Sequence, residues 1–356
     1  MAANPQVTEP TEQTEPVEPA APGTLSPERM VRLGYGFWDA KVLLSAVELG
    51  VFSALARGPL PADRLAGELG VHPRSALDFF DALVSLGMLS RREGRYANTP
   101  ETDLFLDEAK PTYIGGVFGL ATERIYRFWG ALTEGLQTGQ PQSEIKEGGN
   151  FFEVLYSEPD RLRNFLRAMT GISMGSALAI AEQPLWAQYG TVIDIGCAQG
   201  CLPVQLALRH GHLTGGGFDL PPVGPIFGEY VDSFGLSERL RFHPGDFFTD
   251  PLPSADVLVM GHILHDWDLE AKQLLIRKAY DALPPGGRLV VYDAMIDDDR
   301  RENTFGLMMS LNMLIETTGG FDYTGAECRG WLTAAGFRDC RVTPLAGPDS
   351  MVVGVK

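Results

Sequence analysis

Residues 191–200 read TVIDIGCAQG, and the fold follows from how this stretch is read. A short apolar run, Thr191 to Ile195, gives way at once to Gly196, Ala198 and Gly200, after which LPVQLALRHG carries a helical pattern. Small residues at such a turn let the backbone approach a ligand where a strand ends and a helix begins. Sharp turns use glycine for other reasons too, so the loop alone is weak evidence. Asp219 strengthens it. That residue stands twenty-five positions after Asp194, at the end of the next strand in TGGGFDLP, where a carboxylate can accept bonds from ribose hydroxyls.

Working outward, strand and helix patterns alternate: a helix around PIFGEYVDSFG, then RLRFHPGDFF, ADVLVMGHIL, a helix through EAKQLLIRKAYDAL, and PPGGRLVVYDAMI. That rhythm predicts an α/β domain over 187–356, a parallel sheet with helices on both faces. The last two strands, FRDCRVTPL and DSMVVGVK, lie close enough in sequence to form an antiparallel hairpin at the sheet's edge.

Upstream the texture is helical. Residues 26–108 show apolar residues recurring at three and four, then a hairpin from Met88 to NTP. Three helices and a hairpin in that order resemble a winged helix. Its third helix, PRSALDFFDALVSLG, offers one arginine against two aspartates, so an interaction or dimerisation module is expected rather than a DNA reader. Residues 109–186 form a helical connector rich in aromatics. Residues 1–25 contain five prolines, four glutamates and no lysine or arginine, which predicts a solvated, disordered tail.

The formal net charge is −17, and the tail's glutamates account for only four of those charges. Such a surface repels phosphate backbones, so no nucleic-acid partner is expected. No apolar run approaches a membrane span, and four irregularly spaced cysteines suggest neither a disulfide framework nor a zinc ribbon. A cytoplasmic location is expected.

Two cofactors compete for the loop. The dinucleotide fingerprint wants GxGxxG, and GCAQGC does not supply it. The third strand ends at GDFF, where Asp246 and Phe247 suit an adenine amino group and ring, and a terminal antiparallel hairpin is foreign to most dehydrogenases. These features favour S-adenosylmethionine.

With VIDIGCAQG, FDLP, GDFF, ADVLVMGHILHDW, ALPPGGRLVVYD and GGFDYTGAEC in that order, the chain from about residue 30 to 356 resembles the class I S-adenosylmethionine-dependent O-methyltransferases. These carry an N-terminal winged-helix dimerisation domain and include plant phenolic and bacterial natural-product enzymes. The resemblance implies a Rossmann-like sheet of seven strands. It places the cofactor on Asp194, Gly196, Gly200, Asp219, Asp246 and Phe247. It makes His265, in LHDW, the general base, puts Asp266 beside the substrate, and has Asp293 and Asp322 flank the base. A phenol attacks poorly while it keeps its proton, its pKa being about 10, and a histidine within reach removes that difficulty.

Three departures stand out. Both flanking carboxylates are usually glutamate, and the shorter aspartate predicts a shorter reach to His265. Ala198 stands where a glycine is common. Gly261 stands where plant members carry a basic residue that contacts the cofactor's carboxylate.

His262 and His265, three apart at a strand-to-helix boundary, would need a third ligand to hold a metal, and no metal spacing is visible among the six histidines. No metal is expected, and His262 reads as packing or pocket lining. The acceptor pocket is expected to draw on FGLMMSLNMLIETTGG, chiefly Met309, Asn312 and Met313, with Trp129 and Met169 as further candidates. Together these predict methylation of a small aromatic hydroxyl by a homodimer, paired through the apolar helix around Phe37, Trp38, Val42, Leu43 and Val47. N- or C-methylation, or a non-methylating reaction on the same fold, is the alternative, and a DNA-binding regulator a remoter one.

Overall fold

The computed structural model describes residues 25–110, 112–146, 148, 151–156 and 158–356. The expected disordered tail lies almost wholly outside them. The chain divides into two compact units, 1–41 and 42–356, a boundary inside the first long helix rather than before it.

In the first unit, helix α1 (Glu28–Glu48) begins with an acidic first turn. Met30, Leu33, Tyr35, Phe37 and Trp38 there are all more than half exposed, so the expected apolar face stands open over this part. Val42, Leu43 and Val47, in the second unit, instead pack against the core of the small N-terminal fold.

That small fold continues through α2 (Val51–Leu55), β1 (Leu60–Pro61), α3 (Ala62–Leu69), α4 (Pro73–Ser85), β2 (Leu89–Arg92), β3 (Arg95–Asn98) and α5 (Pro100–Leu106). The strands form a three-stranded antiparallel sheet ordered β1-β3-β2, the wing expected from the hairpin pattern. Phe52, Leu65, Phe80, Leu83 and Tyr96 fill its core. Helix α4 starts with Pro73 behind His72, whose ring accepts from the Arg74 amide. Its aspartate Asp81 bonds Arg91 and the Tyr96 hydroxyl.

The connector holds α6 (Gly115–Leu120), a π-helical turn at Ala121–Ile125, α7 (Tyr126–Trp129), α8 (Leu132–Thr138), α9 (Phe151–Tyr156) and α10 (Pro159–Ala181). The π turn places Arg124 inside, where its guanidinium pairs with Glu144 and Glu316 at 2.6 and 2.8 Å. Burial of paired charges confers register more than stability, and here it ties the connector to the end of a later helix.

The large sheet comprises β4 (Thr191–Ile195), β5 (Thr214–Asp219), β6 (Leu240–Pro244), β7 (Val257–Gly261), β8 (Arg288–Asp293), β9 (Arg338–Pro344) and β10 (Ser350–Val355). Their order is β6-β5-β4-β7-β8-β10-β9. The first five pair in parallel, and β10 runs antiparallel to both β8 and β9. Its central strands read as near-continuous apolar runs because both faces are covered, by α11 (Cys201–Arg209), α12 (Gly224–Ser233), α13 (Leu269–Ala282), α14 (Thr304–Glu316) and α15 (Gly325–Ala335). Strand order reverses beside β4, the place where open α/β sheets bind ligands. Among the described residues no helix is long and apolar enough to cross a membrane.

Candidate functional site

Three glycine-rich or acidic strand ends converge at the carboxyl edge of β4, β5 and β6. After Ile195, Gly196 and Gly200 take φ of 72° and 94°, a region that favours glycine. A side chain at Gly196 would put its Cβ 2.2 Å from Ile263 Cδ1, so a larger residue there must displace the Ile263 side chain as well as hold a left-handed backbone. Ala198, with φ of 49°, fills the place where a glycine is common. Its amide donates to Asp219 Oδ2 at 3.0 Å, while the Leu220 amide donates to Oδ1 at 2.7 Å. Asp219 thus holds the turn.

The two buried carboxyls here lack a counter-cation strong enough to keep them in the ordinary carboxylate range. Burial, with Asp219 nearby, pushes Asp194 up to about 8. Burial pushes Asp219 up to about 7, against the two amides that hold it down. Buried carboxyls of this kind favour a positively charged ligand. At the end of β6, Asp246 Oδ1 accepts from its own turn at the Phe248 amide, 2.8 Å, and Phe247 packs edge-on against Phe248 and Trp267. Sequence-predicted Asp194, Gly196, Gly200, Asp219, Asp246 and Phe247 therefore lie along one side of the sheet, with the Asp246 carboxylate already engaged in its turn.

The second half of the site lies beyond β7. The chain leaves Gly261, passes His262 at φ 53°, and makes a short 3-10 turn at Leu264–Asp266, so His265 and Asp266 project from a turn rather than a helix. His265 is buried, and its Nδ1 lies 3.3 Å from Asp322 Oδ1 and 3.7 Å from Asp293 Oδ1. Its Nε2 lies 3.6 Å from Asp266 Oδ1. Both aspartates reach the ring despite their length, Asp322 more closely. Asp293 is fully buried at the end of β8 and accepts from the Tyr323 hydroxyl at 2.5 Å.

Burial pulls the His265 imidazolium down, but Asp293, Asp322 and Asp266 more than reverse it and raise the group to about 10. Burial pushes Asp266 up to about 6 against the pull of His265. Asp322 is raised by burial as well, with His265 drawing it back. The arrangement is an imidazole whose inner nitrogen is oriented by carboxylate and whose outer nitrogen faces a second carboxyl, a constellation suited to moving one proton.

His262 is placed beside this group, with Asp293 Oδ1 3.6 Å from its Nδ1 and Asp349 Oδ2 3.5 Å from its Nε2. The sequence reading found no third ligand for the histidine pair. Asp293 brings one: ligand atoms of His262, His265 and Asp293 lie within 4.8 Å of one another. Ion pairing among these residues accounts for the grouping, and no metal is assigned to it. Gly261 is explained by its neighbour, since a Cβ there would meet the Tyr292 ring at 2.0 Å. The space a basic side chain would need is occupied.

On the acceptor side the structure joins two predicted residues: Trp129 Nε1 donates to Asn312 Oδ1 at 2.8 Å. Met309 on α14 and Met169 on α10 are half-buried, whereas Met313 is buried at 6% exposure and reads as packing. Sequence reasoning missed three residues of this region. Tyr156, one aromatic of the helical connector, lies where burial raises its hydroxyl, with Asp219 and Asp266 adding to the shift. Lys272, fully buried, donates to the Trp267 carbonyl and sits 3.4 Å from the Phe321 ring centre. Tyr323 orients Asp293. The spacing of residues alone carried no signal for any of them.

A family profile described as the O-methyltransferase domain matches residues 129–338, and one described as the O-methyltransferase dimerisation domain matches residues 31–108. The chain is 44% identical over 331 residues to the tetracenomycin polyketide synthesis 8-O-methyl transferase TcmO of Streptomyces glaucescens, covering 93% of this chain and 97% of that one. It is 38% identical to the N,N-dimethyltransferase OxyT of Streptomyces rimosus, covering 92% and 96%. Among solved structures, human N-acetylserotonin methyltransferase in complex with S-adenosylmethionine superposes with a TM-score of 0.85 at 28% identity, covering 94% of this chain and 99% of that chain.

Proposed function

Because this chain belongs to the O-methyltransferase family, in its form with an N-terminal dimerisation domain, we propose that it methylates a phenolic hydroxyl of an aromatic polyketide from S-adenosylmethionine. The carrying observation is His265, buried, with Nδ1 on Asp322 and Nε2 turned outward to Asp266. Similarity to TcmO supports the acceptor class.

The cofactor would supply a methyl group on a sulfonium sulfur. Its ribose hydroxyls suit Asp219, its adenine suits Asp246 and Phe247, and its cationic end suits Asp194 with the Gly196–Gly200 turn. The two high buried carboxyls fit this charge. His265 Nε2 would accept the proton of the hydroxyl that takes the methyl group, the C–S electron pair staying on the sulfur as a neutral thioether, and Asp322 would keep the opposite N–H oriented and stabilise the imidazolium that forms. Asp293 supports the same charge from β8.

Held at about 10, His265 carries a proton in the cofactor-free protein at neutral pH. A cation entering the site would lower that affinity and favour the free imidazole. Trp129, Asn312, Met309 and Met169 would wall the acceptor, and Asp266 would contact its hydroxyl. A cytoplasmic homodimer completes the reading, supported by the matched dimerisation domain and the exposed face of α1.

N-methylation is the second reading, favoured by the 38% identity to OxyT. A panel of hydroxynaphthoates, hydroxyanthraquinones and aminated analogues, incubated with deuterated-methyl cofactor and read by mass spectrometry, decides between them. Label on oxygen supports the first reading. Label only on nitrogen replaces it, and no label on any acceptor, with calorimetry showing the cofactor unbound, ends both.

A further inference from the structure

His262 has no part in the chemistry so far, yet its surroundings are costly to build. Its backbone takes a left-handed φ of 53°, uncommon for a residue with a side chain, although histidine adopts it more readily than most. Its ring is wedged between two buried carboxylates, Asp293 at 3.6 Å and Asp349 at 3.5 Å. The same oxygen, Asp293 Oδ1, lies 3.7 Å from the ring of the base, and the two imidazoles are 6.0 Å apart between centres. One carboxylate oxygen therefore serves two imidazoles. It has no full hydrogen bond from either, so what it shares between them is charge.

Asp349 is fixed from behind by the Ser176 hydroxyl of α10 at 2.6 Å. It also lines a cleft of about 400 Å³ with Asp297, Asp298 and Asn303. The remaining ionisable groups that face His262 are Asp194 on β4, Asp266 on the 3-10 turn and Asp322 before α15, with the Tyr292 ring edge-on at 5.1 Å. Burial raises the carboxyls of Asp194, Asp266 and Asp322 and the Tyr292 hydroxyl. Asp293 and Asp349 are the carboxylates in direct contact with the His262 ring.

We propose that His262 is a positioning residue for methyl transfer: held as a cation by Asp349, it shares the charge of Asp293 with His265 and keeps the base from binding its proton too tightly. The proposal rests on the reading of His265 as the base. Burial pulls His262 down, but Asp293 and Asp349 raise it to about 9, so the ring is still charged when His265, lowered from about 10 by the positive charge of the bound cofactor, gives up its proton. A positive charge this close disfavours a second proton on His265. Removing it therefore raises the proton affinity of the base.

The kinetic test uses His262→Asn, since asparagine tolerates the left-handed backbone and cannot carry the charge. With 3-hydroxy-2-naphthoate as acceptor, the acid limb of kcat/KM should move up by about one to two pH units. His262→Arg, which restores a cation, should bring the limb back toward the wild-type position. Equal loss of rate at every pH in both variants, or an unmoved limb in His262→Asn, overturns the proposal. Should the variants fail to fold, the wild-type chain still decides. With histidines labelled at Cε1, His262 and His265 should each show the other's inflection in a carbon-13 titration, and two independent single-step curves overturn it. That titration needs no acceptor, so failure of 3-hydroxy-2-naphthoate to react would count against the functional reading and leave the coupling of the two rings separately judged.

Discussion

Replacing Asp322 with asparagine probes the base from the opposite side. Asp322 Oδ1 lies 3.3 Å from His265 Nδ1, and at an effective dielectric near 20 a full charge pair at that distance attracts by about 5 kcal/mol. Less than this is realised, because burial raises the Asp322 carboxyl and so opposes its charge. A drop of about one to two pH units in the proton affinity of His265, from its starting value of about 10, is the expected remainder.

Two effects then separate. The acid limb of the pH–rate curve moves down, because less alkali is needed to free the imidazole. The alkaline plateau falls by roughly 10²–10⁴-fold, because an amide can offer its N–H to Nδ1 and favour the wrong tautomer. Initial rates between pH 6 and 10.5, with cofactor saturating, read both effects in one series. Stability shifts as well. In the wild type the raised folded-state pKa of His265 contributes stability that is complete below the unfolded value of 6.5 and is lost as pH rises through about 10. The variant should lose less stability over that interval. A limb that stays in place or moves upward in Asp322→Asn would refute the assignment of Asp322 as the carboxylate governing the base.

Other perturbations read other parts of the structure. His265→Ala should retain calorimetric binding of S-adenosylhomocysteine while turnover falls about 10²–10⁴-fold; a variant of undiminished rate removes the base. Gly196→Ala forces a Cβ to 2.2 Å from Ile263 at φ 72°, so thermal melting should fall by several degrees, consistent with about 1–3 kcal/mol of strain, and an unchanged melt would contradict the geometry. Arg124→Met leaves Glu316 buried without its partner, and chemical denaturation should report a loss of about 3–5 kcal/mol. In solution, Trp38→Asp on the exposed face of α1 should convert a dimer to a monomer by light scattering.

Much of the architecture was legible because it is encoded locally. The alternation of apolar strands with amphipathic helices specifies the sheet from Thr191 onward, and the hairpin from Leu89 to Asn98 announces the wing. Candidate site residues were legible where they sit at a strand end, as Asp219 and Asp293 do, while His265, on the turn beyond β7, was picked out by its LHDW motif. What the sequence hid is set by long-range packing. Nothing near LHDW shows that His262 meets Asp349, 87 positions away, or that Tyr292 fills the space beside Gly261. Two aspartates reach His265 where longer glutamates are usual, since the closeness of the β8 end and the Phe321–Asp322 segment to the ring is a property of the folded chain. Helical spacing alone cannot distinguish, for Met313 as for the rest of α14, a face turned inward from a face turned to a ligand.

The two buried carboxyls beside the glycine turn make ligand capture a titration. Asp194 and Asp219, at about 8 and about 7, each carry a proton over part of the neutral range, and a cation binds well only when those protons leave. Affinity for a sulfonium ligand therefore climbs from mildly acid to mildly alkaline solution, and binding expels acid into the buffer. Its neutral demethylated product makes no such demand, so acidification widens the advantage of product over donor.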